Sequence, residues 1–350
     1  MTLSPSSHRL LRLRDRFSSV SSWWLTLVFM LAVPAAAADE VYELRFAVGT
    51  TDYDFYAQYV DRVAEATDGR VQLKMYNKDS LGTSEDLWIM IQDGSLDMME
   101  NSGDEIAGIH PVQQICQIPF FVGDPTTATA LLYAMYDEGL MPDWTAENGL
   151  ETLCFTTTDM QRMASAKKDI SSADAFNGMI WRCMADAGIQ LLNKLGATVT
   201  TVAPPDVYMS LEKGVIDGSV SSPSAMVAFA YQEVCSYLLM DGLWCGVNGI
   251  VVSAPVWETL PEDVQEQLHT VFREIADDYL EYNLEAEQNG IKTMEEAGVE
   301  LIWADDSLLD AANEFVDEYA RTYIENMNNL GYDGQAIYDF AEAFIGNLNG

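Results

Sequence analysis

A helix-to-strand pattern occurs twice in this chain, 120 residues apart. The first copy is Asp86-Leu87-Trp88-Ile89-Met90-Ile91-Gln92-Asp93-Gly94-Ser95-Leu96-Asp97. The second is Asp206-Val207-Tyr208-Met209-Ser210-Leu211-Glu212-Lys213-Gly214-Val215-Ile216-Asp217. In each, a helix should end at the glycine, which accepts the left-handed backbone of a C-cap. A strand should start near Leu96 and near Ile216. Ser102 and Ser222 continue the match. A module used twice points to two lobes of related build; the alternative is chance likeness between two amphipathic helices. A helical pattern from Pro261 to about Glu296 adds a second constraint. At ~1.5 Å per residue it reaches ~50 Å, longer than one lobe is wide, so it could lie across both. Pro261 suits its first turn, and Gly290 is a candidate kink. Its apolar positions keep no heptad, which excludes a coiled coil.

The remaining segments fit this frame. Val41 to Val48 alternates as a first strand. Gly49-Thr50-Thr51-Asp52 turns it into a helix from about Asp54 to Thr67, capped by Asp52 or Asp54. Val71 to Tyr76 is the next strand, which makes a βαβ unit with a parallel sheet. Thr126 to Tyr136 is helical, Leu150 to Thr156 is a strand, and Phe155 to Arg162 crosses between lobes. Asp174 to Asn177 turns into a short buried strand at Ile180-Trp181-Arg182. Ile189 to Leu195 is a helix, and Thr198 to Val202 and Val247 to Ser253 are strands. Two helices close the chain, near Ser307–Asn328 and Gln335–Leu348.

The first 38 residues read as a secretory signal. A basic stretch ends at Arg16, and Trp23 to Val33 is apolar but too short to span a bilayer comfortably. Pro34-Ala35-Ala36-Ala37-Ala38 then supplies a cleavage site before Asp39, the alternative being an uncleaved anchor. The formal charge is −37; removing the leader's four arginines and one aspartate leaves 14 basic and 54 acidic residues. Such a surface repels nucleic acid and anionic lipid, so neither nucleic-acid binding nor direct membrane insertion after cleavage is expected. The acidity serves solubility, or life in salty water where counterions screen self-repulsion. Cys116, Cys154, Cys183, Cys235 and Cys245 cannot all pair internally. They read as buried small apolar residues, with Cys235–Cys245 a candidate disulfide.

Enzymatic constellations are missing. There is no G-x-G-x-x-G, P-loop, G-x-S-x-G or H-E-x-x-H. Only His110 and His269 follow the leader, and Ser165-Ala166-Lys167-Lys168 lacks the companions of an S-x-x-K enzyme. No catalytic residue, metal or cofactor is expected. The rival reading is an exported enzyme acting on a small acidic metabolite with carboxylates alone. Seven arginines follow the leader, and only Arg162 and Arg182 sit in apolar, interior-looking segments. A buried cation needs an anion. That anion is either an internal acid or a ligand carboxylate gripped by the planar guanidinium fork.

Several further pieces stand in a telling order: Ser80-Leu81-Gly82, Gln92 to Asp97, Ile118-Pro119-Phe120, Phe176-Asn177-Gly178-Met179-Ile180-Trp181-Arg182, Val207-Tyr208 through Leu211, Gly214 to Gly218, and Leu260-Pro261-Glu262-Asp263-Val264-Gln265. With their spacing, the chain from about 41 to 345 resembles a solute receptor of the tripartite ATP-independent periplasmic (TRAP) transporters, of the dicarboxylate-binding type. The resemblance implies an α/β, two-lobed periplasmic-binding-protein-like fold, with a cleft between the lobes and a long helix spanning both. Lobe I would take 39–159 plus about 247–287, and lobe II 160–246 plus about 288–350. It implies that Arg182 pairs with the substrate carboxylate and that Arg162 is a second contact. Thr50 to Tyr53 and Asn101-Ser102 would line the cleft, with aromatic walls from Tyr53, Tyr208 or Trp244. The chain departs from the family in two places. Ser219-Val220-Ser221-Ser222-Pro223 stands where members carry an Asn or Glu-Trp, so Ser221 or Ser222 should offer a neutral hydrogen bond. Cys183-Met184 stands where members place an apolar residue and a proline. The implied function is a periplasmic receptor that delivers a small organic acid to membrane-embedded TRAP transporter subunits. The acid could be a keto acid, sugar acid, dicarboxylate or zwitterion such as ectoine.

The charge imbalance makes a prediction. Self-repulsion should lower the unfolding midpoint in dilute buffer, and added NaCl should raise it. A midpoint that stays flat or falls with salt would remove the habitat reading.

Overall fold

In the computed structural model, two mixed sheets repeat one strand plan. The structure describes residues 40–49, 52–102, 111–141 and 149–348. The expected leader and its cleavage site, together with Thr50, Thr51 and His110, lie outside the described residues. The first sheet has the order β2-β1-β3-β10-β4 and the second β7-β6-β8-β5-β9-β11. In the first, β1 (Tyr42–Val48) runs parallel to β2 (Val71–Asn77) and β3 (Met98–Ser102). β10 (Cys245–Ser253) lies antiparallel between β3 and β4 (Leu150–Met160). In the second, β6 (Ile180–Arg182) runs parallel to β7 (Thr198–Thr200) and β8 (Gly218–Ser221). β5 (Arg162–Ser165) lies antiparallel between β8 and β9 (Tyr237–Leu239), and β11 (Glu300–Ile302) adds an edge. Five strands thus correspond in order and direction, which makes a two-lobed α/β fold.

The helices are α1 (Tyr53–Ala57), α2 (Val60–Ala66), α3 (Ser84–Gln92), α4 (Pro125–Asp137), α5 (Asp186–Lys194), α6 (Pro204–Glu212), α7 (Pro223–Ala228), α8 (Ala254–Trp257), α9 (Glu262–Glu296), α10 (Asp306–Asn329) and α11 (Gly334–Leu348). The repeated module is α3 with β3 and α6 with β8. Gly94 and Gly214 both take left-handed φ, +78° and +67°, as a helix stop requires. The aspartates that follow do the same work in each copy. The Asp97 N–H donates to the Arg45 carbonyl, and its carboxylate accepts the Arg45 N–H at 2.7 Å. The Asp217 N–H donates to the Ile180 carbonyl, and its carboxylate accepts the Ile180 N–H at 2.8 Å. Each aspartate therefore pins the entry of a parallel strand pair and satisfies a backbone donor there.

Some local expectations change. The helix expected over 54–67 breaks at Gln58-Tyr59 into α1 and α2. There Phe55 meets Tyr59 and Tyr279 at ring distances of 5.0 Å each. All five cysteines are free. Cys235 and Cys245 lie in different core clusters, so the candidate disulfide does not form. The closing helices are shared: Leu308 and Phe315 of α10 join the core of the second sheet. Tyr323 and Met327 of α10, with Ile337 and Ala341 of α11, join a cluster that holds Phe155 and Val247 of the first. The segment 288–350 therefore does not belong to the second lobe as a block.

Three segments join the sheets. β4 runs through Gln161 into β5, residues 240–244 lead from β9 back to β10, and α9 spans both. Early in α9, Leu268, Val271, Phe272 and Ile275 pack with β1 and β2 residues. Near its end, Met294 packs with Ala164 and Leu238 of the second sheet. The helix is continuous through Gly290. Gly290 permits close approach: a Cβ there would lie 2.6 Å from the Pro223 carbonyl carbon of α7. Polar contacts fasten the β4–β5 crossing beside it. The Glu287 Oε1 pairs with Arg162 Nη2 at 2.5 Å, and Oε2 accepts from the Met160 N–H at 3.4 Å. The Asp159 carboxylate accepts from the Ser224 N–H at 3.2 Å. Asp159 is buried, and burial pushes its pKa up, opposed in part by Ser224 and Ser222 and reinforced by Glu287.

Two predictions follow from this crossing. An alanine in a helix is favoured over glycine by about 0.5–1 kcal/mol, yet Gly290→Ala should lower the unfolding midpoint because the new methyl meets backbone. Gly346→Ala, in open space on α11, should not lower it; equal effects at the two positions would contradict the close approach. For Asp159, the folded pKa lies above the unfolded one. Its favourable contribution is therefore present at low pH and lost as pH rises through the folded value. Asp159→Asn should be more stable than wild type at pH 7.5, with the gap closing towards pH 4. A variant that is less stable by the same amount at both pH values would contradict this.

Candidate functional site

In both sheets the parallel strands end on the same side, where open α/β sheets place their ligand sites. Arg182 is the last residue of β6 and only 7% exposed. Its Nε donates to the Val202 carbonyl at 3.2 Å, and Nη1 to the Val220 carbonyl at 3.1 Å. Nη2 faces the Met184 sulfur. A guanidinium carries five N–H donors, so two remain beyond these three. Arg45, Arg62, Arg70 and Arg162 each hold a carboxylate. Among the described residues, none pairs with Arg182. A buried cation without an internal acid, in a chain this acidic, is poised for an anion from outside.

A cavity of about 180 Å³ opens beside the guanidinium, lined by Gln161, Cys183, Met184, Val220, Trp244 and Gly246 among others. Arg182 is the one charged side chain among its described lining residues. Burial pushes the Cys183 thiol up to about 11, partly opposed by the Ala185 carbonyl and by Arg182. Cys183 is therefore a neutral wall at physiological pH. Trp244 is seated against α5, where a Cβ on Gly188 would lie 2.5 Å from its ring. Only glycine leaves room for that indole.

Arg162 is placed elsewhere. Arg182 is in register with Ser219 and Arg162 with Ser221, so both start from one face of the sheet, yet it is Gln161 that lines the Arg182 cavity. The Arg162 guanidinium turns to α9, where Nε and Nη2 bond Glu287 at 3.2 Å and 2.5 Å and Nη1 donates to the Met240 carbonyl. Arg162 and Arg182 therefore do not share the cavity. Ser221 is the register partner of Arg162 and stands four residues after Asp217, as Asn101 stands four after Asp97. Asn101 and Ser221 thus occupy matching strand ends in the two sheets, Asn101 buried and Ser221 half-buried. Ser222 caps α7, its Oγ accepting from the Ala225 N–H at 3.4 Å. Tyr53 starts α1 and packs on the aromatic cluster of the first sheet. Tyr208 lies on α6 and donates to Glu233 at 3.1 Å, away from the residues that line the cavity.

Two residues near the strand ends escaped the sequence reading. Gln161 is one, a polar residue at the break between β4 and β5. Glu100 is the other; it is buried, with Oε2 accepting from the Gly49 N–H at 3.0 Å and Oε1 from the Asn248 side chain at 3.4 Å. An acid directly after Met98-Met99, within the expected strand, was its signal. Among the described residues, no group of His, Cys, Asp or Glu could hold a metal ion, and no helix is long and apolar enough to cross a membrane.

Known proteins share this architecture. A TRAP periplasmic solute-binding protein from Desulfovibrio salexigens superposes with a TM-score of 0.80 at 20% identity, covering 88% of this chain and 96% of that one. One from Chromohalobacter salexigens, solved with bound D-glucuronate, gives 0.70 at 22% identity over 85% and 99%. The C4-dicarboxylate-binding periplasmic protein DctP of Rhodobacter capsulatus is 23% identical, over 78% of this chain and 82% of its own length. The ectoine-binding periplasmic protein TeaA of Halomonas elongata is 24% identical, over 82% and 84%. Residues 46–326, which run through both sheets, match the family described as bacterial extracellular solute-binding protein, family 7. That is a family of solute receptors rather than enzymes, and this chain belongs to it.

Proposed function

We propose that this protein is a periplasmic receptor that captures a small organic acid through Arg182 and delivers it to membrane-embedded TRAP transporter subunits. The observation that carries the reading is the buried Arg182 fork, with two donors to spare and no carboxylate paired to it among the described residues. Relatives and neighbours named for acid or zwitterion ligands support it: C4-dicarboxylates, ectoine, D-glucuronate and orotic acid. The leader at residues 1–38 supports export. Asn101 and Ser221, at matching strand ends, are our candidates for contacts from the two lobes as they close. Tyr53 stands near the first of these ends. Arg162 acts as a brace through Glu287, and Tyr208 stays on the surface of α6. Closure pivots at the crossings and α9, and no bond is made or broken.

Arg182→Lys replaces a two-pronged donor with a point charge. Hydrogen bonds to charged groups contribute ~1.5–3 kcal/mol each, and ~1.4 kcal/mol is tenfold in affinity. Binding should weaken at least about tenfold in Arg182→Lys and further in Arg182→Ala. The ligand-free unfolding midpoint should barely move. A large loss of apo stability, or full affinity in Arg182→Ala, would give the arginine a structural role instead.

A further inference from the structure

The charge pattern around Arg182 narrows the ligand class, given the receptor reading above. A second carboxylate is held most strongly by a second cation within reach of the first. Arg162 does not supply it, because its charge is matched by Glu287, and both side chains are nearly buried. Drawing Arg162 to a ligand would strand Glu287 as a buried acid. The strand end of the opposite sheet presents Glu100 and Asn101, an acid and a neutral amide. The basic residue there, Lys78, lies beside Glu100: a Cβ on Gly49 would meet Lys78 Cε at 3.3 Å and Glu100 Oε2 at 3.4 Å. The end of its stem therefore runs beside an acid. The rest of the Arg182 cavity is Trp244, Met184, Val220, a neutral Cys183 thiol and the uncharged Gln161. With a formal charge of −37 on the whole chain, each extra negative charge on a ligand adds repulsion.

We infer that this receptor selects small monocarboxylates with an uncharged, apolar or aromatic body, and that Gln161 occupies the position that excludes a second carboxylate. The single carboxylate takes the two remaining Arg182 donors, and the body lies against Trp244 and Met184. Gln161 can be changed without disturbing its frame. Its N–H donates to the Trp244 carbonyl and its carbonyl accepts from the Leu243 N–H, both through backbone. An arginine at 161 would place a second fork in the same cavity.

The test uses matched acids on the full chain freed of its leader: benzoate against terephthalate, and 4-methylpentanoate against adipate. Calorimetric titration should show each monocarboxylate binding at least about tenfold tighter than its dicarboxylate partner, the worth of one unmatched charge contact. Gln161→Arg should shrink that ratio by about tenfold or reverse it. If wild type binds terephthalate or adipate as tightly as the monoacid, the inference falls while the receptor reading stands. If none of the four acids binds, the inference falls, and a wider panel of organic acids and zwitterions without a binder would overturn the receptor reading as well. A folded Gln161→Arg protein with an unchanged ratio also overturns the role of Gln161. Should that variant not fold, the wild-type ratio still decides the ligand class.

Discussion

One carboxylate bonds both sides of the strand that passes between the two sheets. Glu287 reaches the Met160 N–H at the end of the first sheet and the Arg162 guanidinium at the start of the second. Three consequences follow from it. The long helix α9 is tied to the crossing at the point where Gly290 already brings it against α7. Arg162 is neutralised and directed away from the cavity. Arg182 is left as the one charged side chain among the described residues that line its cavity. If the lobes close around a ligand as proposed, the contacts of Glu287 brace the crossing about which they would move.

Arg182 is also prepared for that task. Its Nε and Nη1 donate to carbonyls on two separate segments, at Val202 and Val220. These bonds fix the plane of the fork before any ligand arrives, so less rotational freedom is lost on binding. They also solvate the charge in part, which lets a cation persist at 7% exposure without an acid. In the proposed receptor role, a ligand carboxylate would fill the two remaining donors and offset the cost of holding the charge there.

The features legible in the sequence were the local ones. The repeated module could be read because a glycine stop and an aspartate at the next strand are short-range requirements, and both copies meet them. The long helix showed through its periodicity. Arg182 stood out because basic residues are few and its neighbours are apolar. The partner of Arg162 could not be read. Glu287 lies 125 residues away, and nothing local marks it among 55 acidic residues. Gln161 was obscured because β4 is buried along nearly its whole length. This residue falls at the break between β4 and β5, where strand alternation does not assign its side. The close approach at Gly290 could not be read, because sequence cannot show that another helix start presses on it.

The central claim is that one carboxylate of the ligand docks on the Arg182 fork. A crystal structure of the closed complex with a bound acid tests it most directly. The account predicts two carboxylate oxygens within ~2.7–2.9 Å of Arg182 nitrogens, with Arg162 still paired to Glu287. A ligand carboxylate bound elsewhere, with Arg182 still facing only Val202, Val220 and Met184, would contradict it.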